Sequence, residues 1–408
     1  MGETLPFLPY GRHLVEADDI AAVTEVLQGD WLATGPTVDA FEGALAARVG
    51  AAEAVACASG TAGLHLAATA LDLGPGDAVI VPSQTFVATA NAARLTGAEP
   101  VFADVDADTA LMDAAHLDDA VARAEAAGLR PRAAFVVHMN GQCAPMAEIA
   151  ARAAAHGLRI VEDAAHAIGA HEDDATPVGA CRHSDMTVFS FHPLKTIAMG
   201  EGGAVTTQDA ALAARLRRLR HHGIVREPAD FANADLAFDP AGDPNPWYHE
   251  MPEVGFNYRA SDIHCALGLS QLAKLDRFVA RRAALAARYD ALLAPMAPLL
   301  RPVGRVAVGR PAWHLYPVLI DFAAAPLDRA ALMKGLRDRG IGSQVNYIPV
   351  HLQPYYRARG ELAGGADLPG ARAYYDRCLS LPLYPALSDA DQDRVVAALG
   401  DLLGGAVA

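Results

Sequence analysis

The stretch AEAVACASGTAGLHLAATALDLGPGDAVIVP (52–82) has two short β-rich runs separated by an Ala-rich segment with helical spacing. This alternation continues to about residue 207 and gives seven strand candidates: AEAVACAS, DAVIVP, AEPVFADV, PRAAFVV, LRIVED, DMTVFSF and GGAVTT. Strands that alternate with helices predict an α/β fold with a doubly wound, mostly parallel sheet, covered by helices on both faces. Because ligands bind beyond the carboxyl ends of strands in such sheets, functional residues are expected at the strand-to-loop junctions.

The remainder of the chain has a different pattern. Helical spacing at 209–221 is followed by a stretch at 224–250 that is rich in Pro, Asp and Asn, which predicts a long loop. A long helix is expected over 261–293, with Ser261 or Asp262 as its N-cap. Beyond it, the pattern predicts a smaller α+β domain with terminal helices, whose first elements are a strand at 313–321, a helix at 327–339 and a strand near 343–348.

Length and composition narrow the possible classes of protein. The 408 residues suit two domains: a large α/β domain with the N-terminal segment at 1–250, and the long helix with the smaller domain at 251–408. The formal net charge of -15 argues against nucleic-acid binding, because an acidic protein repels phosphate backbones. The five cysteines are widely spaced, so no disulfide framework is expected. Neither a signal peptide nor a transmembrane stretch is visible, which predicts a cytoplasmic protein without a membrane partner.

A candidate phosphate site begins at Ser59, where SGTAGLH (59–65) follows a strand candidate and opens a helix. Small residues allow a ligand to approach the backbone, and the free N–H groups and dipole of a helix start attract phosphate. The alternative is an ordinary N-cap formed by Ser59 or Thr61.

Two acidic residues, Glu162 and Asp163, end the apolar run in IVEDAAHAIG (160–169). An ionised Asp at a strand end can keep a pyridine nitrogen protonated, because an opposite charge favours the charged form. A protonated ring is the electron sink that pyridoxal chemistry needs. Alternatively, Asp163 caps the next helix or binds a loop, and His166 has a structural role.

Lys195 follows a strand candidate in FSFHPLKTIAMGEGGAVTT (189–207), and Pro193 prevents further sheet pairing. A lysine forms Schiff bases once desolvation or a nearby cation lowers its pKa. Ser190 lies on the same strand and could donate to a phosphate. The alternative is a surface lysine in a Gly-rich turn. Each signal is weak alone, but all three fall in order within one sheet, which favours a cofactor site.

Six segments together resemble the sugar aminotransferases of the DegT/DnrJ/StrS type, which are fold-type-I pyridoxal-phosphate enzymes. The resemblance covers nearly the whole chain and rests on GDWLATGPTVDAFE (29–42), SGTAGLHLA (59–67), PSQTFVATANA (82–92), VEDAAHAIGA (161–170), SFHPLKTIAMGEGGAV (190–205) and GFNYRASDIHCALGLSQL (255–272).

The resemblance implies pyridoxal 5'-phosphate as the cofactor, with Lys195 as its Schiff-base lysine and proton shuttle, and Asp163 as the partner of the ring nitrogen. It also places Phe86 on the ring face and His166 beside the ring. The groups implied to bind the phosphate are Gly60, Thr61, Ala62, Ser190 and, from the partner subunit, Asn257. This arrangement implies a homodimer with active sites shared across its interface.

Further segments, including FLPYGRH (7–13) and QVNYIPVHLQPYY (344–356), are similar to the subgroup that serves pseudaminic acid synthesis. This similarity implies amino transfer from L-glutamate to carbon 4 of a UDP-linked 4-keto-6-deoxy-N-acetylhexosamine, giving UDP-4-amino-4,6-dideoxy-N-acetyl-β-L-altrosamine. Asn140 and Asn346 depart from the family pattern, in segments that could face the sugar. The candidate sugar-nucleotide contacts, which could equally be packing residues, are Tyr10, Thr34, His314, Tyr316 and Tyr347.

Other functions remain open beside this one. The acceptor could be a different NDP-4-keto or 3-keto sugar, for example of the UDP-bacillosamine or perosamine type. Some relatives lack the lysine, and these proteins either catalyse a dehydration or only bind a ligand. Here Lys195 stands in an intact motif. A non-catalytic sensor of pyridoxal phosphate or a sugar usually carries a DNA-binding segment, and no spare helix-turn-helix is visible. The scattered histidines do not match a metal-hydrolase pattern, so no metal is expected.

Overall fold

The computed structural model describes residues 6–173, 175–360 and 367–404. All seven predicted strands are present and form one sheet: β1 (Glu53–Cys57), β2 (Asp77–Pro82), β3 (Glu99–Ala103), β4 (Arg130–Val137), β5 (Arg159–Asp163), β6 (Met186–Ser190) and β7 (Gly203–Thr207). The strand order is β1-β7-β6-β5-β4-β2-β3, and β7 is the one strand that runs antiparallel to the other six. The expected doubly wound, mostly parallel sheet is confirmed.

The α-helices of the described residues cover this sheet and continue to the C-terminal part: α1 (Ala17–Gln28), α2 (Pro36–Val49), α3 (Gly60–Ala70), α4 (Val87–Leu95), α5 (Ala114–Ala126), α6 (Met146–Ala155), α7 (Ala210–Arg220), α8 (Ala234–Ala237), α9 (Asp262–Leu272), α10 (Leu275–Leu293), α11 (Arg329–Asp338), α12 (Pro354–Arg357), α13 (Pro369–Arg377) and α14 (Asp389–Leu403). Strand β2 is buried along its whole length. Burial of each Val or Ile side chain contributes about 1.5–3 kcal/mol, which explains why the central strands are continuous apolar runs.

One edge of the sheet collects the segments predicted to carry chemistry. Strands β1 to β6 all point their carboxyl ends toward it, because β7 is the single antiparallel strand. Strand β7 begins at the same edge with Gly203, where a Cβ atom would lie 2.4 Å from the backbone of Ser59. Only glycine permits this approach, which seats the start of α3 against the ends of β6 and β7.

Several predictions for the C-terminal part were wrong. The expected long helix is two helices, α9 and α10, which are separated at Ala273 and Lys274, although Ser261 is the N-cap as expected. Segment 343–348 is not a strand, and it has a single bridge, from Gln344 to Ser380. The position in the second sheet is taken instead by CLSL (378–381), which was not predicted as a strand. This segment is wholly buried and pairs with the strand Tyr316–Ile320. The second, antiparallel sheet has the order β10-β9-β8, with strands β8 (Leu300–Pro302), β9 (Tyr316–Ile320) and β10 (Cys378–Leu381).

The N-terminal segment packs against the C-terminal part of the chain. Leu8 forms a parallel bridge with Ile341, and the Leu383 N–H donates to the Tyr10 carbonyl at 3.0 Å. The predicted loop at 224–250 is largely irregular, with α8 as its one α-helix. Among the helices described here, none combines the length and apolar character that a membrane crossing requires.

Candidate active site

A cavity of about 760 Å³ opens beyond the carboxyl ends of β5 and β6. Most of the residues predicted for the site line this cavity: Tyr10, Gly60, Thr61, Phe86, Asp163, His166, Ser190, Lys195, His314 and Tyr347. Their convergence follows from the sheet, since parallel strands deliver their carboxyl ends to one edge.

The start of α3 forms a small cradle in the cavity wall. The Ser59 hydroxyl caps the helix by accepting the Ala62 N–H at 3.1 Å, and Ala62 is not among the residues that line the cavity. The Ala62 N–H is therefore already bonded in this structure, whereas its contact with a phosphate stays a prediction. The N–H groups of Gly60 and Thr61 have no partner within the described residues. A Cβ at Gly60 would lie 2.8 Å from the Ser190 Cβ, so glycine is required where the helix start meets β6.

Asp163, the last residue of β5, is 5% exposed and has no salt-bridge partner among the described residues. Its carboxylate accepts the Thr89 hydroxyl at 2.7 Å and the Ala165 N–H at 3.1 Å. Burial raises the pKa of Asp163, while these two hydrogen bonds oppose the increase. A buried carboxylate that lacks a cation is suited to a cationic ligand. Sequence reasoning missed Thr89, whose signal is a hydroxyl in the otherwise apolar start of α4.

Lys195 is the lysine that enters this cavity. The chain contains three lysines, and the other two are engaged elsewhere. The Lys274 ammonium lies 2.8 Å from Asp19, and that of Lys334 lies 2.7 Å from Asp338. Burial lowers the pKa of Lys195 to about 8, and the charge of Asp163 partly opposes this decrease. A lysine with such a pKa has a substantial fraction of neutral, nucleophilic amine near neutral pH.

His166 is held in one orientation beside Asp163 and Lys195. The Asn140 N–H donates to its Nδ1 at 3.3 Å, so the ring proton of the neutral imidazole lies on Nε2, 3.1 Å from the Tyr347 hydroxyl. Burial lowers the pKa of His166 well below its usual value, and the Lys195 charge adds to this effect. The His314 ring lies 4.5 Å from the His166 ring, and burial lowers its pKa in the same way.

Phe86 gives the cavity an open aromatic face. The side chain is 53% exposed, although it stands in a region where most apolar residues are buried. Its ring centroid lies 5.6 Å from that of Tyr347, at an interplanar angle of 57°. A planar ligand can therefore stack on Phe86 within the cavity.

Three further predicted residues do not line the cavity. Tyr316 is fully buried in β9, where its hydroxyl donates to Asp290 at 2.6 Å and its ring stacks on Tyr289. Its burial identifies it as a packing residue, which corrects its assignment as a sugar contact. Thr34 and Asn257 are exposed outside the cavity of this subunit.

The groups of this cavity fit pyridoxal phosphate. The cradle at the start of α3 suits the phosphate, and the unpaired carboxylate of Asp163 suits the pyridinium nitrogen. Lys195, with its lowered pKa, suits the aldehyde, and the open face of Phe86 suits the planar ring. This fit rests on the donor and acceptor groups of the cavity.

Comparison with known proteins agrees with this geometry. The model of the DegT/DnrJ/EryC1/StrS aminotransferase family matches residues 14–400. The chain belongs to that family. It is 41% identical over 401 residues to the spore coat polysaccharide biosynthesis protein SpsC of Bacillus subtilis (strain 168), with 98% of each chain covered.

Two solved structures of sugar-pathway proteins have the same fold. PseC of Helicobacter pylori, an aminotransferase involved in pseudoaminic acid biosynthesis, superposes with a TM-score of 0.86 at 26% identity, covering 98% of this chain and 99% of that one. Spr1654 of Streptococcus pneumoniae in its PLP form gives a TM-score of 0.85 at 25% identity, with the same coverage. The protein is thus a pyridoxal-phosphate-dependent sugar aminotransferase of fold type I.

The raised pKa of Asp163 predicts a pH-dependent stability in the cofactor-free protein. A raised pKa means that the folded state binds the proton more tightly than the unfolded chain. The stabilising contribution is therefore present below the unfolded pKa of ~3.9 and is lost as the pH rises through the folded pKa. We expect cofactor-free Asp163→Asn, which is neutral throughout, to melt at a higher temperature than wild type at pH 7. The difference should shrink toward pH 4 in calorimetry, and a lower melting temperature at pH 7 would contradict this assignment.

Proposed function

We propose that this aminotransferase moves an amino group from L-glutamate to carbon 4 of a UDP-linked 4-keto-6-deoxy-N-acetylhexosamine, giving UDP-4-amino-4,6-dideoxy-N-acetyl-β-L-altrosamine for pseudaminic acid. The observation that carries this acceptor is the likeness to PseC over 98% of the chain, together with the subgroup motifs of the sequence. The higher identity to SpsC, 41%, favours a second candidate: a different NDP-keto-sugar used in a surface polysaccharide.

Pyridoxal phosphate, when bound, supplies an electron sink for the carbon that exchanges its proton. In the proposed mechanism Lys195 holds the cofactor and then moves the proton, for which a pKa of about 8 is suited. Asp163 keeps the ring nitrogen charged, and Thr89 fixes that carboxylate. Gly60, Thr61 and Ser190 receive the phosphate.

The remaining contacts in the proposed mechanism are those of the cavity wall. Phe86 packs on the ring, and His166 lies beside it with its proton fixed on Nε2. Tyr10, His314 and Tyr347 face the sugar, since all three line the same cavity. Thr34 remains a candidate sugar contact only across a subunit interface, because it is exposed outside this cavity.

The charges of the cavity support a shared active site. Lys195 is the one Lys or Arg among the described lining residues, yet both the nucleotide sugar and glutamate are anions. A second copy of the chain is therefore proposed to supply further donors, including the partner subunit's Asn257. Trp247, Met251 and Val254, which precede Asn257 in the sequence, have exposed apolar side chains, as expected of residues at such an interface.

In solution we expect a homodimer. Size-exclusion chromatography with light scattering should give about twice the 42.7 kDa chain mass for the active species. An active monomer would contradict the shared site.

Asn257→Ala is expected to weaken the affinity for pyridoxal phosphate about 10- to 100-fold, because a hydrogen bond to a charged group contributes about 1.5–3 kcal/mol. Equilibrium dialysis measures this affinity. Asn245→Ala on the exposed 224–250 loop is the matched control, and an unchanged affinity in Asn257→Ala would remove Asn257 from the site.

The acceptor is tested by offering two UDP-4-keto sugars, made by a carbon-5-inverting and a non-inverting dehydratase, with L-glutamate as donor. Mass spectrometry and NMR identify the products. Amination of the inverted L-arabino sugar alone supports the pseudaminic acid assignment. Preference for the D-xylo sugar would move the enzyme to another amino-sugar pathway, and amination of neither would show that the acceptor is a different nucleotide sugar.

A further inference from the structure

The cavity wall contains buried polar atoms that no described residue satisfies. Among the lining residues these are the His314 Nδ1 and the Asn346 Oδ1. Asn346 is 5% exposed, so its carboxamide is nearly excluded from solvent while it faces the cavity. A buried acceptor without a donor costs about 1–3 kcal/mol, which makes this oxygen a strong candidate for contact with a bound molecule.

The segment that carries Asn346 is fixed on both sides. Gln344 exchanges backbone hydrogen bonds with Ser380, at 3.2 and 2.7 Å. On the other side, the Gln84 carboxamide donates to the Tyr347 carbonyl at 2.9 Å, and the Val350 N–H donates to the Ser83 carbonyl at 2.9 Å. The backbone that carries Asn346 is therefore held in place before a substrate arrives, which favours a selective hydrogen bond.

The character of this atom restricts what it can bind. A carboxamide oxygen accepts hydrogen bonds, so its partner must carry an O–H or N–H group. Phosphate and carboxylate oxygens are excluded as partners, because they are themselves acceptors at neutral pH. Such donors are the hydroxyl and acetamido N–H groups of the keto-sugar, the ribose hydroxyls and uracil N–H of the nucleotide, and the ammonium group of glutamate. The keto-sugar is favoured, because its reacting carbon has to reach Lys195 in the cavity that Asn346 also lines, and the glutamate half-reaction tests the other substrate separately.

We propose that Asn346 determines acceptor specificity by accepting a hydrogen bond from a ring hydroxyl or acetamido N–H of the keto-sugar. This inference rests on the proposed function and assigns one residue to acceptor choice. A site built to hydrogen-bond such a donor strongly rejects the analogue that lacks it, because the buried oxygen is then left unpaired.

The test combines variants of Asn346 with deoxygenated acceptors. Wild type, Asn346→Leu and Asn346→Asp are assayed with a 4-keto-sugar nucleotide that carries donors at carbons 2 and 3, and with its 2-deoxy and 3-deoxy analogues. Gln344→Ala is the matched control, because the Gln344 oxygen already accepts the Val345 N–H at 2.9 Å. The glutamate half-reaction is followed separately through release of 2-oxoglutarate.

We expect wild type to lose about 100-fold or more in kcat/KM with one of the two analogues. In Asn346→Leu the ratio of kcat/KM for the full acceptor to kcat/KM for that analogue should fall to about tenfold or less. Asn346→Asp, which keeps an acceptor oxygen, and Gln344→Ala should retain most of the wild-type ratio. All variants should keep the glutamate half-reaction. An unchanged ratio in Asn346→Leu for both analogues, or loss of its glutamate half-reaction, would overturn the assignment. Failure of that half-reaction in wild type would instead refute the proposed function.

Discussion

Lys195→Ala is expected to lower transamination by at least about 10⁴-fold, since it removes both the covalent attachment point and the proton carrier. No other lysine can take over. Lys274 is surrounded by Asp18, Asp19 and Glu16, and Lys334 lies on the exposed face of α11, paired with Asp338. Steady-state assays of 2-oxoglutarate release measure the loss, and the absorption spectrum reports whether the cofactor is still attached.

Lys334→Ala is the matched control for this variant, because it removes an exposed lysine and should retain full activity. Added alkylamines are expected to restore part of the proton transfer in Lys195→Ala, since a small amine can enter a cavity of about 760 Å³. A near-normal turnover number in Lys195→Ala without added amine would remove Lys195 from the catalytic role.

Asp163→Ala is expected to lower turnover by about 10³-fold or more while the protein remains folded. An uncompensated pyridinium loses its proton without a neighbouring carboxylate, and the ring then stabilises negative charge less well. The variant is expected to fold, because burial already disfavours the charged form of this carboxyl group. Activity in both half-reactions should fall together, since the ring serves both.

Thr89→Val is the graded companion to Asp163→Ala. It removes the hydroxyl that donates to the carboxylate at 2.7 Å but leaves the charge in place, so a smaller loss of about tenfold is expected. Wild-type turnover in Asp163→Ala, with melting showing a folded protein, would refute the pairing with the ring nitrogen.

The fold of the large sheet was predictable because its strands are buried on both faces and are therefore continuous apolar runs. Once a parallel sheet is inferred, the convergence of Asp163, Ser190 and Lys195 follows, as all three lie at or just beyond strand ends. The N-cap at Ser261 was predictable for a similar local reason, because its hydroxyl accepts an N–H only three residues away.

The errors concern features that depend on distant contacts. Segment 343–348 has strand-like composition, but the edge of the second sheet is taken by β10, which lies about thirty residues later in the chain. Tyr316 and Tyr347 are the same residue type in similar contexts, and only the packing separates a core tyrosine from one that lines the cavity. The cap at the start of α3, which either Ser59 or Thr61 could have formed, is made by Ser59. The unpaired oxygen of Asn346 is visible only when every neighbouring donor is located.

The most direct test of the central claim is to reduce the cofactor-loaded protein with borohydride and map the modified peptide by mass spectrometry. A reduced pyridoxyl phosphate group is predicted on Lys195, one of three lysines in the chain, with no label on Lys274 or Lys334. Labelling of either of those lysines, or bound cofactor with no labelled lysine, would contradict the assignment of this cavity as the active site.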